Sequence, residues 1–142
     1  MPFPLDEKFI TAAEQQLGFT FPKKYKAKMQ IENGGEFGIS FSDEYEDGDD
    51  IEPWWLFSFQ DTSDVKRTKR TMNHLIAENK TIREIEGFPE NSIAIAYNHT
   101  GDYLLMRAEE SLQLSEEIYL RRHEYSDFIS LAANSIEDFL AQ

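Results

Sequence analysis

The length, composition and charge of this chain limit what it can do. Its 142 residues are 40% hydrophobic and 13% aromatic, which fits a single domain over residues 1–142 with a core of its own. It contains no cysteine, which excludes disulfides, thiolate metal sites and cysteine nucleophiles. Its net charge of −13 opposes binding to nucleic acid or anionic membranes and favours basic partners. The acidity would also serve solubility alone, and the two interpretations stay open at this point.

The sequence shows no targeting segment and no membrane span. The N-terminus lacks a basic stretch followed by an apolar run, so no signal peptide is predicted. No apolar run approaches the roughly 20 residues that a transmembrane helix needs. We therefore expect a cytoplasmic protein, in keeping with the absence of cysteine in a reducing compartment.

The N-terminal part predicts two helices separated by a glycine. Apolar residues recur at three- and four-residue steps from Leu5 to Leu17, and Gly18 stands where a helix C-cap would be. Pro22 is predicted at the first position of the second helix, where its missing N–H costs nothing. That helix has an apolar stripe at four-residue spacing, formed by Phe21, Tyr25 and Met29. The glycines of 33–35 end it and allow a tight reversal.

The middle of the chain predicts two strands and a third helix. Residues Phe37 to Phe41 alternate as a half-buried strand does. The apolar run Trp54 to Phe59 is typical of a strand buried on both faces. Ser63 is predicted to cap a helix running to about Asn79. The inward residues of that helix would be Val65, Met72, Leu75 and Ile76.

The C-terminal part predicts a hairpin, a further strand and a last helix. Strands over Ser92–Tyr97 and Asp102–Met106 are joined by a four-residue loop that contains glycine. Glu117 to Arg121 could add a strand. Ser135 is predicted to cap a helix over Ser135–Leu140, because Asp138 stands three residues later. Phe128 to Ala133 fits either an extension of that helix or a short extended segment.

The order of these elements predicts the fold class. Helices and strands occur in separate runs, not in strict alternation. This order favours an α+β fold with a mostly antiparallel central sheet flanked by helices.

An acidic loop lies between the first two predicted strands. Seven of its ten residues are carboxylates and none is basic: Asp43, Glu44, Glu46, Asp47, Asp49, Asp50 and Glu52. It does not fit a calcium loop, because with Gly48 at the sixth position Tyr45 would be third and Trp54 twelfth. Three interpretations remain: a docking patch for a cationic protein, a solvated loop, or loose cation binding.

Two tryptophans follow the acidic loop directly. Neighbouring side chains of a strand point to opposite faces, so at most one of Trp54 and Trp55 is expected deep in the core. The other would be partly exposed beside the carboxylates, where it could anchor a protein partner. Apolar packing of both tryptophans is the alternative.

The histidines give weak evidence for chemistry. None of His74, His99 and His123 has a zinc-binding spacing, and no phosphate loop, dinucleotide fingerprint or serine-hydrolase motif is present. His99 beside Asp102, or His123 beside Glu124, could be drawn as an acid–base pair, although surface pairing is the commoner explanation. We therefore predict no catalytic residue, no metal and no cofactor.

Two basic groups lie on predicted helix faces. They are Lys23–Lys28 and Lys66–Arg70, and no stacking aromatic residues interleave with them. We interpret them as solvated faces or as intramolecular partners of the acidic loop, not as a nucleic-acid site.

Three phrases in a fixed order carry a family resemblance. Leu17–Pro22 leads into Asn33–Gly35, then Ile93–Tyr97 runs into Gly101–Leu105, and Ser135–Leu140 closes the chain. In this order and spacing they resemble the SUKH superfamily, in its Smi/Knr branch. That superfamily is named in part for yeast cell-wall regulators and consists largely of bacterial immunity proteins. The resemblance extends from about Leu5 to Leu140.

The resemblance implies a fold and a mode of action. It implies an antiparallel sheet flanked by helices, and it assigns structural, not catalytic, roles to the residues that match. They are Pro22, Tyr25, Gly34, Gly35, Gly101, Asp102, Ile136, Phe139 and Leu140. The acidic loop belongs to none of the family phrases, so any partner choice that it carries is particular to this protein.

The resemblance also implies a function. We expect an immunity protein that binds a cognate toxin domain, a basic nuclease, and occludes its active site or substrate groove. A monomer is expected, with a homodimer as the alternative. The expected contact residues are Asp43, Glu44, Glu46, Asp47, Asp49, Asp50, Glu52, Trp54 and Trp55.

Two other functions are weighed against this one. The first is an intracellular interaction or regulatory module without a toxin partner, which would share the fold and the lack of catalytic residues. The second is an enzyme that uses carboxylates with His99 or His123. A deep pocket holding His99, Asp102 and another carboxylate would favour the enzyme.

Overall fold

The computed structural model describes residues 2–40, 51–123 and 129–141, which form five helices and six strands. The helices are α1 (Glu7–Leu17), α2 (Lys23–Ile31), α3 (Val65–Arg70), α4 (Leu75–Ile82) and α5 (Ile136–Leu140). The strands are β1 (Gly35–Ser40), β2 (Ile51–Leu56), β3 (Ser92–Asn98), β4 (Tyr103–Arg107), β5 (Ile118–Arg121) and β6 (Ile129–Ala133).

The strands form one antiparallel sheet in chain order. Each strand pairs with the next, from β1 to β6, so neighbours along the chain are neighbours in the sheet. Helix α4 packs against β3, and α5 packs against α2 and β6. The predicted α+β fold with a sheet flanked by helices is confirmed.

The first helix begins and ends at residues with the expected chemistry. The Asp6 carboxylate accepts the N–H of Lys8 at 3.0 Å, so the helix begins at Glu7 and not at Leu5. Leu5 lies just before the helix and is buried in the core. Gly18 ends α1 in the left-handed conformation, with φ of 78°, as predicted.

Helix α2 supplies an aromatic part of the core. The predicted stripe of Phe21, Tyr25 and Met29 is buried, and the Phe21 ring lies 5.2 Å from the Phe59 ring, edge to face. Pro22 is the N-cap and not the first helical residue. Gly34 follows with φ of 91°, and a Cβ there would lie 3.2 Å from the Leu56 carbonyl oxygen. This glycine therefore permits the reversal, and β1 begins at Gly35.

The predicted third helix is two helices, and the prediction that its residues point inward is wrong for two of the four residues. Asp64 caps α3 by accepting the N–H of Arg67 at 2.7 Å, and His74 caps α4. The helix is interrupted at residues 71–74, so the two halves do not share one inward face. Val65 and Met72 are 71% and 68% exposed. Leu75 and the residue after it, in α4, are buried as predicted.

Strand β2 begins earlier than predicted. The apolar run over 54–59 was expected to be a strand buried on both faces, but β2 ends at Leu56. Trp54 and Leu56 are buried, whereas Trp55 between them is half-buried. One face of this strand is therefore fully covered and the other is open in part.

Two buried asparagines join the helices to the sheet region. The Asn33 amide binds both the N–H and the carbonyl of Phe59, at 2.8 and 2.9 Å. The Asn79 amide binds the same two groups of Ala94, at 2.9 and 2.8 Å. Each asparagine thus replaces the backbone partner that a neighbouring strand would give.

The C-terminal segment resolves the two alternatives for 128–133. Ile129–Ala133 is strand β6, so it is extended and not a continuation of the last helix. Ser135 caps α5 by accepting the N–H of Asp138 at 3.2 Å, as predicted. Within the described ranges, no helix has the length and apolar character that crossing a bilayer requires.

Candidate partner-binding site

The predicted contact residues fall into two groups. Asp43, Glu44, Glu46, Asp47, Asp49 and Asp50 lie outside the described residues, whereas Glu52, Trp54 and Trp55 lie in β2. Ser40 and Ile51, the residues on either side of 41–50, pair in the register of β1 and β2. The two ends of the acidic segment are therefore neighbours at one end of the sheet.

The two tryptophans point to opposite faces of β2. Trp54 is fully buried, opposite Phe37 and Asn98 in the register. Trp55 is half-buried, so the expectation of one core and one partly exposed tryptophan is confirmed. Trp54 was expected among the contact residues, but its side chain fills the core and reaches no solvent. Of the pair, only Trp55 can meet a partner in this conformation.

Trp55 belongs to a row of rings that sequence reasoning missed. Its ring stacks on Tyr97 at 5.5 Å, and Tyr97 stacks on Phe57 at 4.9 Å. His99 packs edge-on against Trp55 at 4.6 Å. We call Phe57, Tyr97, Trp55 and His99 the aromatic row. Its assembly depends on the pairing of β2 with β3, which places Trp55 opposite Tyr97.

The aromatic row borders two clefts. The larger, of about 520 Å³, is lined by Trp55 and by residues of the N-terminus and α3, including Phe3 and Arg67. The Arg67 guanidinium lies 4.4 Å from the centre of the Phe3 ring. The smaller cleft, of about 240 Å³, is lined by Tyr97 and Glu78 among others. Tyr97, which is 37% exposed, lines both.

A buried carboxylate organises the sheet end beside this row. Asp102 is 2% exposed and accepts hydrogen bonds from side chains of Asn98 at 3.0 Å and Thr100 at 2.9 Å. It also accepts the backbone N–H of His123 at 2.9 Å and contacts the His123 Nδ1 at 3.0 Å. Arg122 lies 3.2 Å from its second oxygen. We call these five residues the Asp102 cluster.

The hydrogen bonds of the cluster decide the charge of Asp102. Burial acts to raise the pKa of this carboxyl, but hydrogen bonds from Asn98, His123 and Thr100 outweigh it and lower the pKa to about 2. Asp102 is therefore ionised at neutral pH. Glu52 joins the cluster by accepting a hydrogen bond from the Asn98 side-chain amide.

Of the two acid–base pairs considered from the sequence, the pair of His99 with Asp102 is not formed. His99 packs on Trp55, and the histidine that contacts Asp102 is His123. Glu124, considered as a partner of His123, lies outside the described residues, so that pair is not tested. Both oxygens of Asp102 accept from protein donors, so the cluster joins the β3–β4 connection to the segment after β5 and, through Asn98 and Glu52, to β2.

The described residues give no support to the enzyme alternative. Neither cleft beside the aromatic row is lined by His99 or Asp102. No group of three or more histidines and carboxylates within 2–40, 51–123 and 129–141 is placed to hold a metal ion. The pocket named as favouring an enzyme, with His99, Asp102 and another carboxylate, is thus not found among the described residues.

The basic groups have partners on nearby elements. Lys26 lies 3.1 Å from Glu14, and Lys24 lies 3.5 Å from Glu137. The Lys28 ammonium donates to the Gly34 carbonyl, and burial lowers its pKa to about 8 despite the opposing charge of Glu32. These lysines serve contacts between helices and at the α2–β1 turn, and not a free cationic patch.

Comparisons with known proteins identify the family. Comparison with the curated proteins gave no match. A family model, described as the SMI1 / KNR4 family (SUKH-1), matches residues 4–142, which is nearly the whole chain. The six-stranded antiparallel sheet with flanking helices agrees with the fold that the sequence resemblance implied. The chain therefore belongs to the SMI1 / KNR4 family (SUKH-1).

Proposed function

We propose that this protein is an immunity protein that binds a cognate bacterial toxin domain in the cytoplasm and blocks its active site or substrate groove. Membership in the SMI1 / KNR4 family supports this role, because the wider superfamily consists largely of such proteins. Inhibition by occlusion needs a complementary surface and no catalytic residue. The contact residues offered by this chain are consistent with that requirement.

The proposed contact surface is the end of the sheet that carries the acidic segment. Its described members are Glu52 and Trp55 of β2, which follow residues 41–50 directly. A half-buried tryptophan next to carboxylates resembles the anchor residues that dominate many protein interfaces. Trp55 is held in place by its stack on Tyr97, so little side-chain entropy would be lost on binding.

Charge supports a basic nuclease as the toxin. A nuclease groove that binds phosphates is basic, and a row of carboxylates can take the place of those phosphates. The observation that carries this proposal is the net charge of −13, with seven carboxylates concentrated in residues 43–52. Such a field speeds the encounter with a cationic partner.

Co-expression with a toxin tests the proposal directly. A candidate nuclease toxin domain would be expressed in a sensitive host with and without this protein, and the purified pair would be assayed for nuclease activity. We expect restored growth and loss of nuclease activity at equimolar protein. An active toxin in the presence of excess protein would contradict the immunity role. In a pull-down from the native cytosol, a housekeeping partner that is held with little salt dependence would instead favour the regulatory module.

Trp55 gives a residue-level prediction for this interface. Trp55→Ala should weaken toxin binding by about 2 kcal/mol, or roughly 30-fold in Kd, because hot-spot tryptophans have effects of this size. Calorimetry with the purified toxin domain would measure it, with thermal unfolding to establish that the variant is folded. Leu131→Ala is the control, since Leu131 is an exposed apolar side chain on β6. Equal affinities of the Trp55 variant and the native protein would remove Trp55 from the interface.

A further inference from the structure

The smaller cleft beside Tyr97 has the composition of a cation-binding site. The described residues that line it are three aromatic residues, one carboxylate, two asparagines and a glycine, and none of them is basic. They are Phe57, Tyr97, Tyr103, Glu78, Asn73, Asn98 and Gly101. Its volume of about 240 Å³ is below the roughly 300–1,000 Å³ of small-molecule sites. The cleft is therefore suited to a single side chain.

Glu78 is the charged group of this cleft. It lies half-buried on α4, and its carboxylate makes no hydrogen bond or ion pair with any residue that the structure describes. It lies near Tyr103, whose pKa is raised first by burial and then by the Glu78 charge. It also lies near His74, the N-cap of α4, where its charge opposes the lowering of the His74 pKa by burial and Lys80. A half-buried carboxylate without a protein partner favours a cation from outside.

Arg121, whose charge acts on Tyr103, does not fill the cleft. Arg121 lies opposite Tyr103 in the register of β4 and β5, but it is buried and its guanidinium packs 5.8 Å from the centre of the Phe88 ring. It does not line the cleft. The negative charge of Glu78 is thus available to a ligand.

Aromatic faces next to a carboxylate bind cations by two additive effects. The negative faces of the rings attract a cation, and the attraction grows as water is removed. The carboxylate adds a charge-assisted hydrogen bond. A planar guanidinium can stack on a ring and still present its edge to an oxygen, whereas an ammonium cannot stack in this way. A cleft that combines aromatic rings with a carboxylate therefore favours an arginine side chain over a lysine side chain.

We propose that the cleft formed by Phe57, Tyr97, Tyr103 and Glu78 binds an arginine side chain of the basic protein partner. This proposal rests on the proposed function for the source of the arginine, but the pocket itself can be tested without a toxin. Tyr97 belongs both to this cleft and to the aromatic row that contains Trp55. The arginine would therefore dock beside the proposed Trp55 anchor, within one continuous contact surface.

The pocket is tested with two small probes of similar shape, one cationic and one neutral. Native protein would be titrated with N-acetyl-arginine amide and, separately, with the neutral isostere N-acetyl-citrulline amide, and the aromatic and backbone resonances followed by NMR. We expect saturable shifts at Tyr97, Tyr103 and Glu78 with the arginine probe, and none that saturate with citrulline. Equal responses to both probes, or no saturable response to arginine, would overturn the proposal.

Matched variants separate the pocket from general acidity. Glu78→Gln should lower the affinity for the arginine probe at least about fivefold, because it removes the one lining charge. Tyr103→Leu should also lower it while keeping an apolar side chain in place, because an aromatic ring of the cleft is lost. Glu86→Gln is the control, since Glu86 is exposed and lies outside the cleft. A loss as large in the control as in the Glu78 variant would contradict the assignment.

The outcome for the pocket is distinct from that for the immunity role. A protein that neutralises its toxin but shows no saturable arginine binding retains the proposed function and loses this pocket. A protein that binds the arginine probe through Glu78 but protects against no toxin retains the pocket and loses the immunity role. In the first case, the interface must lie elsewhere on the acidic end of the sheet.

Discussion

Asp102 shows how one buried residue can hold together the chain segments that form a proposed contact surface. It lies in the β3–β4 connection and holds Asn98 at one side and His123, just after β5, at the other. The Asn98 amide also donates a hydrogen bond to Glu52, the second residue of β2, and so links Asp102 to that strand. The segments that carry the proposed contact residues are thus fixed relative to each other by one ionised carboxylate.

Replacement of this carboxylate should destabilise the fold. Asp102→Asn would replace one of the two accepting oxygens by an amide donor, and we expect a loss of about 2–3 kcal/mol in unfolding free energy at pH 7. Urea denaturation would measure it. Glu109→Gln, which removes an exposed charge after β4, is the control and should change stability by less than about 0.5 kcal/mol. Similar values for the two variants would show that the cluster contributes little to stability.

The same residue predicts a pH dependence with a definite sign. The pKa of Asp102 is about 2 in the folded protein and 3.8 ordinarily, so its contribution is complete above about pH 4 and is lost as pH falls toward 2. After allowance for solvent screening, we expect this part to be about 1–2 kcal/mol. It would appear as a difference between native and Asp102→Asn stability that shrinks below pH 4. A difference that stays constant between pH 6 and pH 2.5 would rule out this linkage.

At the scale of elements, the attachment of α4 to β3 depends on Asn79. The register of β3 shifts between Ala94 and Ala96, and the Asn79 amide binds both backbone groups of Ala94 there. It also donates to the Leu75 carbonyl of its own helix. The Asn79 side chain on α4 thereby supplies hydrogen-bond partners to the backbone of β3 where its register shifts. The same attachment positions Glu78, the residue before Asn79, at the cleft.

Removal of this amide should be costly. Asn79→Ala leaves two buried backbone groups without partners, and we expect a destabilisation of about 2–4 kcal/mol. Chemical denaturation would measure it, and hydrogen exchange should show faster exchange at the Ala94 amide. Asn134→Ala, at an exposed asparagine before α5, is the matched control. A small loss at Asn79, with Ala94 still protected, would mean that another group replaces the amide.

The elements also show which features a sequence can predict. Gly18, Ser135 and the aromatic stripe of α2 were predictable because caps and helical periodicity depend on nearby residues. The break between α3 and α4 was not, because it depends on distant contacts. Thr71 donates its hydroxyl to the Arg67 carbonyl and accepts the N–H of Asp61, ending α3.

The candidate site divides in the same way. The alternation of the pleat predicted that one of the two tryptophans would be partly exposed. The ring that Trp55 stacks on follows from the register of β2 against β3, which no local pattern in the sequence specifies. For the same reason the sequence indicates only His99, a close neighbour along the chain, as a possible partner of Asp102, whereas the fold brings His123 to it.

At the scale of the whole molecule, charge and shape have separate roles. The net charge of −13 acts over a distance of about one Debye length, roughly 8–10 Å at physiological salt, and affects the rate of encounter. In the proposed complex the rings of the aromatic row would act only on contact and would affect the dissociation rate. A partner would therefore be attracted by the carboxylates and retained by Trp55 and its neighbours.

This division predicts how variants of the acidic segment behave. Neutralising Asp47, Asp49 and Asp50 together to asparagine should slow association with the toxin and flatten its dependence on salt, with a smaller effect on dissociation. Stopped-flow kinetics from about 20 to 500 mM salt would measure both rates. The control neutralises three exposed carboxylates between α4 and β3, by Glu84→Gln, Glu86→Gln and Glu90→Gln.

The two triple variants carry the same net charge, so they separate local from overall electrostatics. If the acidic segment faces the partner, the asparagine variant should be slower at low salt than the glutamine variant, and the two should converge at high salt. Equal slowing in both would mean that the charge of the whole protein attracts the partner and that the segment has no special place. Unchanged association at low salt in the asparagine variant would exclude the segment from the encounter altogether. Trp55→Ala should show the complementary pattern, with near-native association and faster dissociation, because a ring has no long-range field.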